Sequence, residues 1–115
     1  MKNTVSLKRN NDFRVIYKRG KSSVTSVLAM YARKRKNPEN RIGLTVSTKV
    51  GCAVVRNRVR RRIREAYRLN EAKFKNGLDI VVVARVRAAK VSYREIEKNL
   101  LSLAESLGLL SEVQE

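Results

Sequence analysis

Apolar positions recur along this chain at two periods, in separate blocks. In "NNDFRVIYKRG" (10–20), Phe13, Ile16 and Tyr17 fall at i, i+3 and i+4, one face of a short helix. Asn10 or Asn11 can cap it, Asp12 suits its first turn, and Gly20 suits its end. "SVTSVLAMYARKR" (23–35) is rich in strand formers. Val27, Ala29 and Tyr31 share one face of such a strand, and Leu28, Met30 and Ala32 share the other. "RIGLTVS" (41–47) alternates, with Ile42, Leu44 and Val46 on one side. The turn-like "KNPEN" (36–40) between the two predicts an antiparallel hairpin. Val55, Val59, Ile63, Ala66 and Tyr67 return to helical spacing, and Phe74 continues the stripe, so a helix is expected over about 53–75, ended by Gly77. "LDIVVVAR" (78–85) is a continuous apolar run, the mark of a strand buried on both faces. Ser92 and Glu95 form a capping box before Ile96, Leu100, Leu103, Ala104 and Leu107, and Gly108 is the stop. The order is helix, strand, strand, helix, strand, helix, with a short extra strand near 21–25. That predicts an α+β fold: one mixed sheet with helices packed on it. The 115 residues form a single domain, with 109–115 expected to fray.

Charge changes this picture from a generic fold to a binding protein. The chain carries 27 Lys and Arg against 10 Asp and Glu, a net +17. Of these, 26 bases and only five acids lie in residues 1–94. A polyanionic partner follows from charge of this size. Apolar residues interleave with the bases throughout, so a folded basic domain is expected rather than a disordered tail. "AVVRNRVRRRIREAYR" (53–68) holds seven arginines and one acid, Glu65. On a helix, Asn57, Arg61, Arg64 and Arg68 form one row and Arg56, Arg60 and Arg64 an adjoining one, while Arg58 and Arg62 flank the apolar stripe. Arginine in preference to lysine suits forked recognition of phosphate.

Candidate catalytic chemistry is thin. The chain has no His, and its two Asp, Asp12 and Asp79, fall in different elements. No spacing suggests a metal cage, a carboxylate pair or a triad. Cys52 is the single cysteine, so no internal disulfide can form, which fits a reducing compartment. No apolar run approaches a membrane span and no signal peptide is evident, so a cytoplasmic location is expected. Aromatic rings beside bases can hold unpaired nucleobases. By periodicity alone, however, Phe13, Tyr17 and Tyr31 read first as core residues. A structural RNA-binding protein, such as a ribosomal one, and a self-sufficient nuclease are the competing classes; missing His and clustered acids speak against the second.

The segment "KVGCAVVRNRVRRRIREAYR" (49–68) resembles the signature of the bacterial ribonuclease P protein component. It has Lys49, Gly51, Ala53-Val54, the triplet Arg56-Asn57-Arg58, and bases at 60, 61 and 64 with Glu65. "NDFRVIYKRGK", "RIGLTVSTK" and "DIVVVAR" extend the resemblance over nearly the whole chain. It implies a small two-layer α/β sandwich, a mixed four-stranded sheet with three helices and a left-handed βαβ crossover, against the usual right-handed rule. It also implies a non-catalytic subunit, monomeric in a 1:1 complex with a catalytic RNA that cuts precursor tRNA to release the 5′ leader, with Mg²⁺ held mainly by the RNA. The expected leader-binding residues are Phe13, Tyr17, Tyr31, Arg56, Asn57, Arg60 and Arg64, which reverses the core reading of the rings. Those expected toward the catalytic RNA are Lys49, Arg58, Arg61, Arg62 and Arg68. The resemblance gives the protein itself no catalytic residue and no metal ligand.

Overall fold

The computed structural model describes residues 2–111. Its strands are β1 (Thr4–Ser6), β2 (Lys21–Val24), β3 (Leu28–Lys34), β4 (Asn40–Thr45) and β5 (Leu78–Ala84), and its helices are α1 (Asn10–Arg19), α2 (Ala53–Asn70) and α3 (Tyr93–Ser106). Short 3-10 turns at Thr48–Val50, Glu71–Lys73 and Val86–Lys90 join them. The fold is α+β, as the pattern predicts. The sheet has five strands rather than four, in the order β1-β4-β5-β3-β2.

The most apolar strand takes the centre. Every residue of β5 is buried except half-buried Val83. It pairs antiparallel with β3 and parallel with β4. The expected hairpin between 23–35 and 41–47 therefore does not form, because β5 lies between the two segments. The hairpin that does form joins β2 to β3. Thr25 closes it: its hydroxyl accepts the N–H groups of Val27 (3.2 Å) and Leu28 (3.1 Å), which breaks the 23–35 stretch in two. The extra strand expected near 21–25 is β2. β1 was not foreseen; three residues long, it pairs parallel to β4 at the sheet edge.

Helices cover both faces, so the two expected layers become three. Leu28, Met30, Ala32, Ile42, Ile80, Val82 and Ala84 face α2 and α3 and form the main core with Val59, Ile63, Ala66, Tyr67, Ile96, Leu100 and Leu103. The other face packs a smaller cluster, Leu7, Ile16 and Val81, with Phe13 and Tyr31 against it, beneath α1. Gly43, Val81 and Tyr31 stand side by side in register on that face.

Helix ends show where local rules hold and where they yield. The Ser92 hydroxyl accepts the Glu95 N–H at 3.2 Å, as the capping box requires. Gly108 ends the last helix at φ 71°, a conformation that costs glycine little. α1 starts one residue earlier than expected, with Arg9 at its cap and no side-chain cap bond, so Asn10 and Asn11 are helical. α2 stops at Asn70, whose side chain donates to the Ala66 carbonyl at 2.7 Å, rather than running to 75. Phe74 lies beyond the helix; it packs on Tyr67 at 4.9 Å between ring centroids and bridges to Leu110. That bridge, with the Ser111 N–H donating to the Lys73 carbonyl and Leu109 buried, contradicts fraying for residues 109–111. Residues 112–115 lie outside the described residues.

Candidate nucleic-acid interface

Strand register and helix period bring the three rings together. Tyr31 stands on the α1 face of β3, and Tyr17 meets it edge-on at 4.8 Å between centroids. Phe13, one turn earlier, lies 6.4 Å from Tyr17. The Tyr17 hydroxyl shares a 2.9 Å hydrogen bond with the Thr45 hydroxyl, which anchors the ring over the sheet. Phe13 lies directly over Gly43: a Cβ there would sit 2.5 Å from Phe13 Cζ. Tyr17 is 37% exposed, while Phe13 and Tyr31 are half-buried, so the cluster is packed below and open above. A hollow beside it is lined by Phe13, Gly43, Leu7 and Ser6 together with Arg60 and Arg64 of α2. The Phe13 ring and two guanidinium groups thus border one concavity next to the Tyr17–Tyr31 pair, the combination that single-stranded nucleic acid needs.

The arginines of α2 divide by what they touch. Arg61 and Arg64 are exposed, and neither makes an ion pair among the described residues. Arg60 donates to the Asn57 side-chain oxygen at 3.0 Å, and Arg56 Nε donates to the Gly51 carbonyl at 3.1 Å. Arg68 pairs with Glu65, which holds the Glu65 carboxyl below its ordinary pKa. Arg58 and Arg62 are half-buried and lean on the 86–91 segment. Arg58 donates to the Ala89 carbonyl at 3.4 Å and Arg62 to the Val91 carbonyl at 3.1 Å. Both arginines flank the apolar stripe, so each bonds the neighbouring 86–91 segment while still lining an open hollow with Arg61, Arg64 and Arg68. Lys49 is exposed on the 3-10 turn ahead of α2. Cys52 is exposed at the α2 cap, its thiol pKa lowered mainly by the Val55 and Val54 N–H groups.

One buried network escaped the sequence reading. Asp79 is 2% exposed. Its carboxylate accepts both Nε (2.7 Å) and a terminal nitrogen (3.0 Å) of Arg41, with Arg35 at 3.6 Å. Arg41 also reaches Asp12 on α1 at 3.3 Å, so one guanidinium ties that helix to the sheet. The bond to Asp79 raises the Arg41 pKa still further. A carboxylate at the start of a strand beneath a cation-rich edge was the available signal. Among the described residues, no three His, Cys, Asp or Glu side chains are grouped to hold a metal ion.

The family model for ribonuclease P matches residues 1–108. The chain belongs to the ribonuclease P protein family. It is 45% identical over 111 residues to the ribonuclease P protein component of Alkaliphilus metalliredigens (strain QYMF), covering 96% of this chain and all of that one. Its identity to the component from Clostridioides difficile (strain 630) is 48% over 101 residues, covering 87% and 89% of the two chains. The Staphylococcus aureus RNase P protein structure superposes with a TM-score of 0.85 at 31% identity, covering 92% of this chain and 97% of that one. The Thermotoga maritima protein gives 0.77 at 32% identity, covering 84% and 92%. As a family member, the chain is a subunit of the ribonucleoprotein endoribonuclease that acts in tRNA 5′ processing, and its partner is the RNA subunit. None of its described helices is long and apolar enough to cross a membrane.

Proposed function

We propose that this subunit holds the 5′ leader of precursor tRNA on the Phe13–Tyr17–Tyr31 face while α2 grips the catalytic RNA, and that the RNA performs the hydrolysis. The observation that carries this reading is the shared concavity of Phe13 with Arg60 and Arg64. Stacking on the rings accepts any base, and the guanidinium groups neutralise the phosphates between bases. Arg56 and Asn57 extend the leader side at the start of α2. Arg61 and Lys49 carry exposed charge for the catalytic RNA, and Arg68 contributes from its pair with Glu65. Arg58 and Arg62 serve that RNA through the backbone they hold.

The two aspartates support leaving Mg²⁺ to the RNA. Asp79 is paired with Arg41 and Arg35, and Asp12 with Arg41, and these guanidinium groups compete with any cation for the same oxygens. Mg²⁺ bound by the RNA would supply an activated water and stabilise charge on the scissile phosphate. The protein is a cytoplasmic monomer bound 1:1 to the RNA in this reading.

The left-handed crossover also belongs to this reading, and main-chain direction supports it. Asn40 N–H and the Ile42 carbonyl point to β1, while the Ile42 side chain points to the α2–α3 layer. For L-residues seen from that layer with β4 running upward, β1 then lies to the right and β5 to the left. A chain leaving β4, descending in front through α2 and rising in β5 on the left is left-handed, against the common rule.

Salt dependence tests the leader site. If about four cations meet leader phosphates, log affinity for the leader falls against log salt with a slope near −3. Tyr31→Ala should weaken leader binding by about 1–3 kcal/mol. A slope near zero, or unchanged leader affinity in a folded Tyr31→Ala protein, would remove the site.

A further inference from the structure

A second cationic surface lies at the end of the sheet where β5 begins and β3 ends, opposite the end from which β4 leads to α2. Arg19, Lys21, Arg33, Lys34 and Lys75 surround a hollow of about 370 Å³ floored by Leu78, Leu107 and Leu109. Strand pairing gathers them: Lys34 stands opposite Leu78, and Lys21 opposite Ala32. None of the five makes an ion pair among the described residues. Arg33 faces Asp79 directly across the β3–β5 pair, yet that carboxylate is taken by Arg41 and Arg35. Five like charges therefore converge with no acid paired to them among the described residues, and a polyanion is a ligand that relieves them.

This surface is separate from the leader site. Tyr17 of α1 stands against Tyr31, while Gly20 at the end of α1 lies against Ala32: a Cβ on it would come within 2.9 Å of the Ala32 carbonyl oxygen. The helix thus crosses β3 between Tyr31 and Arg33 and stands as a ridge. A strand stacked on the rings is walled off from the hollow. We propose that this end of the sheet grips a second length of RNA backbone, belonging to the RNA subunit, apart from the length held by α2. The protein then braces two parts of one RNA. The inference rests on the proposed function, since it takes the catalytic RNA as the polyanion.

The test measures binding of the full chain to the catalytic RNA as a function of salt, for wild type, K21Q/K34Q and the charge-matched control R94Q/K98Q. All four side chains are exposed, so folding is not at stake. Two lost phosphate contacts should make the log–log salt slope shallower by about 2 in K21Q/K34Q. The control should keep the wild-type slope, and K21Q/K34Q should still distinguish leadered from leaderless tRNA. Equal slopes in K21Q/K34Q and wild type, or an equal loss in the control, would overturn the second surface alone. A wild-type protein that does not bind the RNA at all would instead overturn the proposed function.

Discussion

Gly43→Ala probes whether the sheet sets the position of the Phe13 ring. The added Cβ would stand 2.5 Å from Phe13 Cζ, 2.6 Å from Cε1 and 3.1 Å from Leu7 Cβ. Carbon atoms settle at about 3.5–4.0 Å, so the ring must retreat by roughly 1 Å. β4 cannot retreat instead, because it is paired on both sides, with β1 and β5. α1 absorbs the shift, at a stability cost of about 1–3 kcal/mol typical of overpacking. If Phe13 stacks on a leader base, displacing it costs up to about 1–3 kcal/mol of binding, roughly 5- to 150-fold. The assay is the affinity of the holoenzyme for precursor tRNA with and without its leader, for Gly43→Ala, Phe13→Ala and the double variant. Gly43→Ala should weaken leader binding in the wild-type background and add almost nothing once Phe13 is alanine. Additive losses, or unchanged leader affinity in folded Gly43→Ala, would refute the argument.

Other expectations follow from the same contacts. Asp79→Asn leaves Arg41 and Arg35 without their buried counter-charge; breaking a fully buried pair costs about 3–5 kcal/mol, and partial exposure of the arginines brings this to about 2–3. The urea midpoint should fall accordingly, and an unchanged midpoint would contradict the network. Arg58→Gln should lower the melting temperature by about 3–5 °C through its lost bond to Ala89, whereas Arg61→Gln should leave it alone and weaken RNA binding. The reverse pattern would make Arg58 a direct contact. Burial opposes ionisation of Glu71, but bonds from the Thr4 hydroxyl and the Lys2 and Asn3 N–H groups outweigh it and hold its pKa down. A carboxylate depressed by folding stabilises the fold above its unfolded pKa, and that contribution fades as pH falls through the folded value. Glu71→Gln should therefore lose less stability than wild type on acidification; parallel curves would exclude Glu71 as the clamp on β1.

What could be read from the sequence was local. The helical spacing of Val59, Ile63, Ala66 and Tyr67 fixed the inner side of α2, and the unbroken run in 78–84 marked the central strand, since both signals arise from burial. Pairing order was not legible. The turn at 36–40 suggested a hairpin, but a strand almost 40 residues downstream enters between its arms, and neither arm's pattern encodes that choice. β1 has three residues and no apolar run, so only its partner β4 defines it. At the candidate site, the period of α1 puts Phe13 and Tyr17 on one face and the alternation of β3 gives Tyr31 its face, but that α1 packs over that face of β3 is a tertiary contact that neither pattern contains. The bonds that hold Arg58 and Arg62 go to carbonyls of residues 89 and 91, some thirty positions away, and a helical wheel does not contain them.

Precursor-tRNA cleavage by protein alone, by catalytic RNA alone at low Mg²⁺, and by the two together bears most directly on the claim that this chain positions RNA and leaves the chemistry to it. Cleavage that rises only when protein joins RNA is the predicted result. Correct 5′ processing by the purified protein without RNA would contradict it.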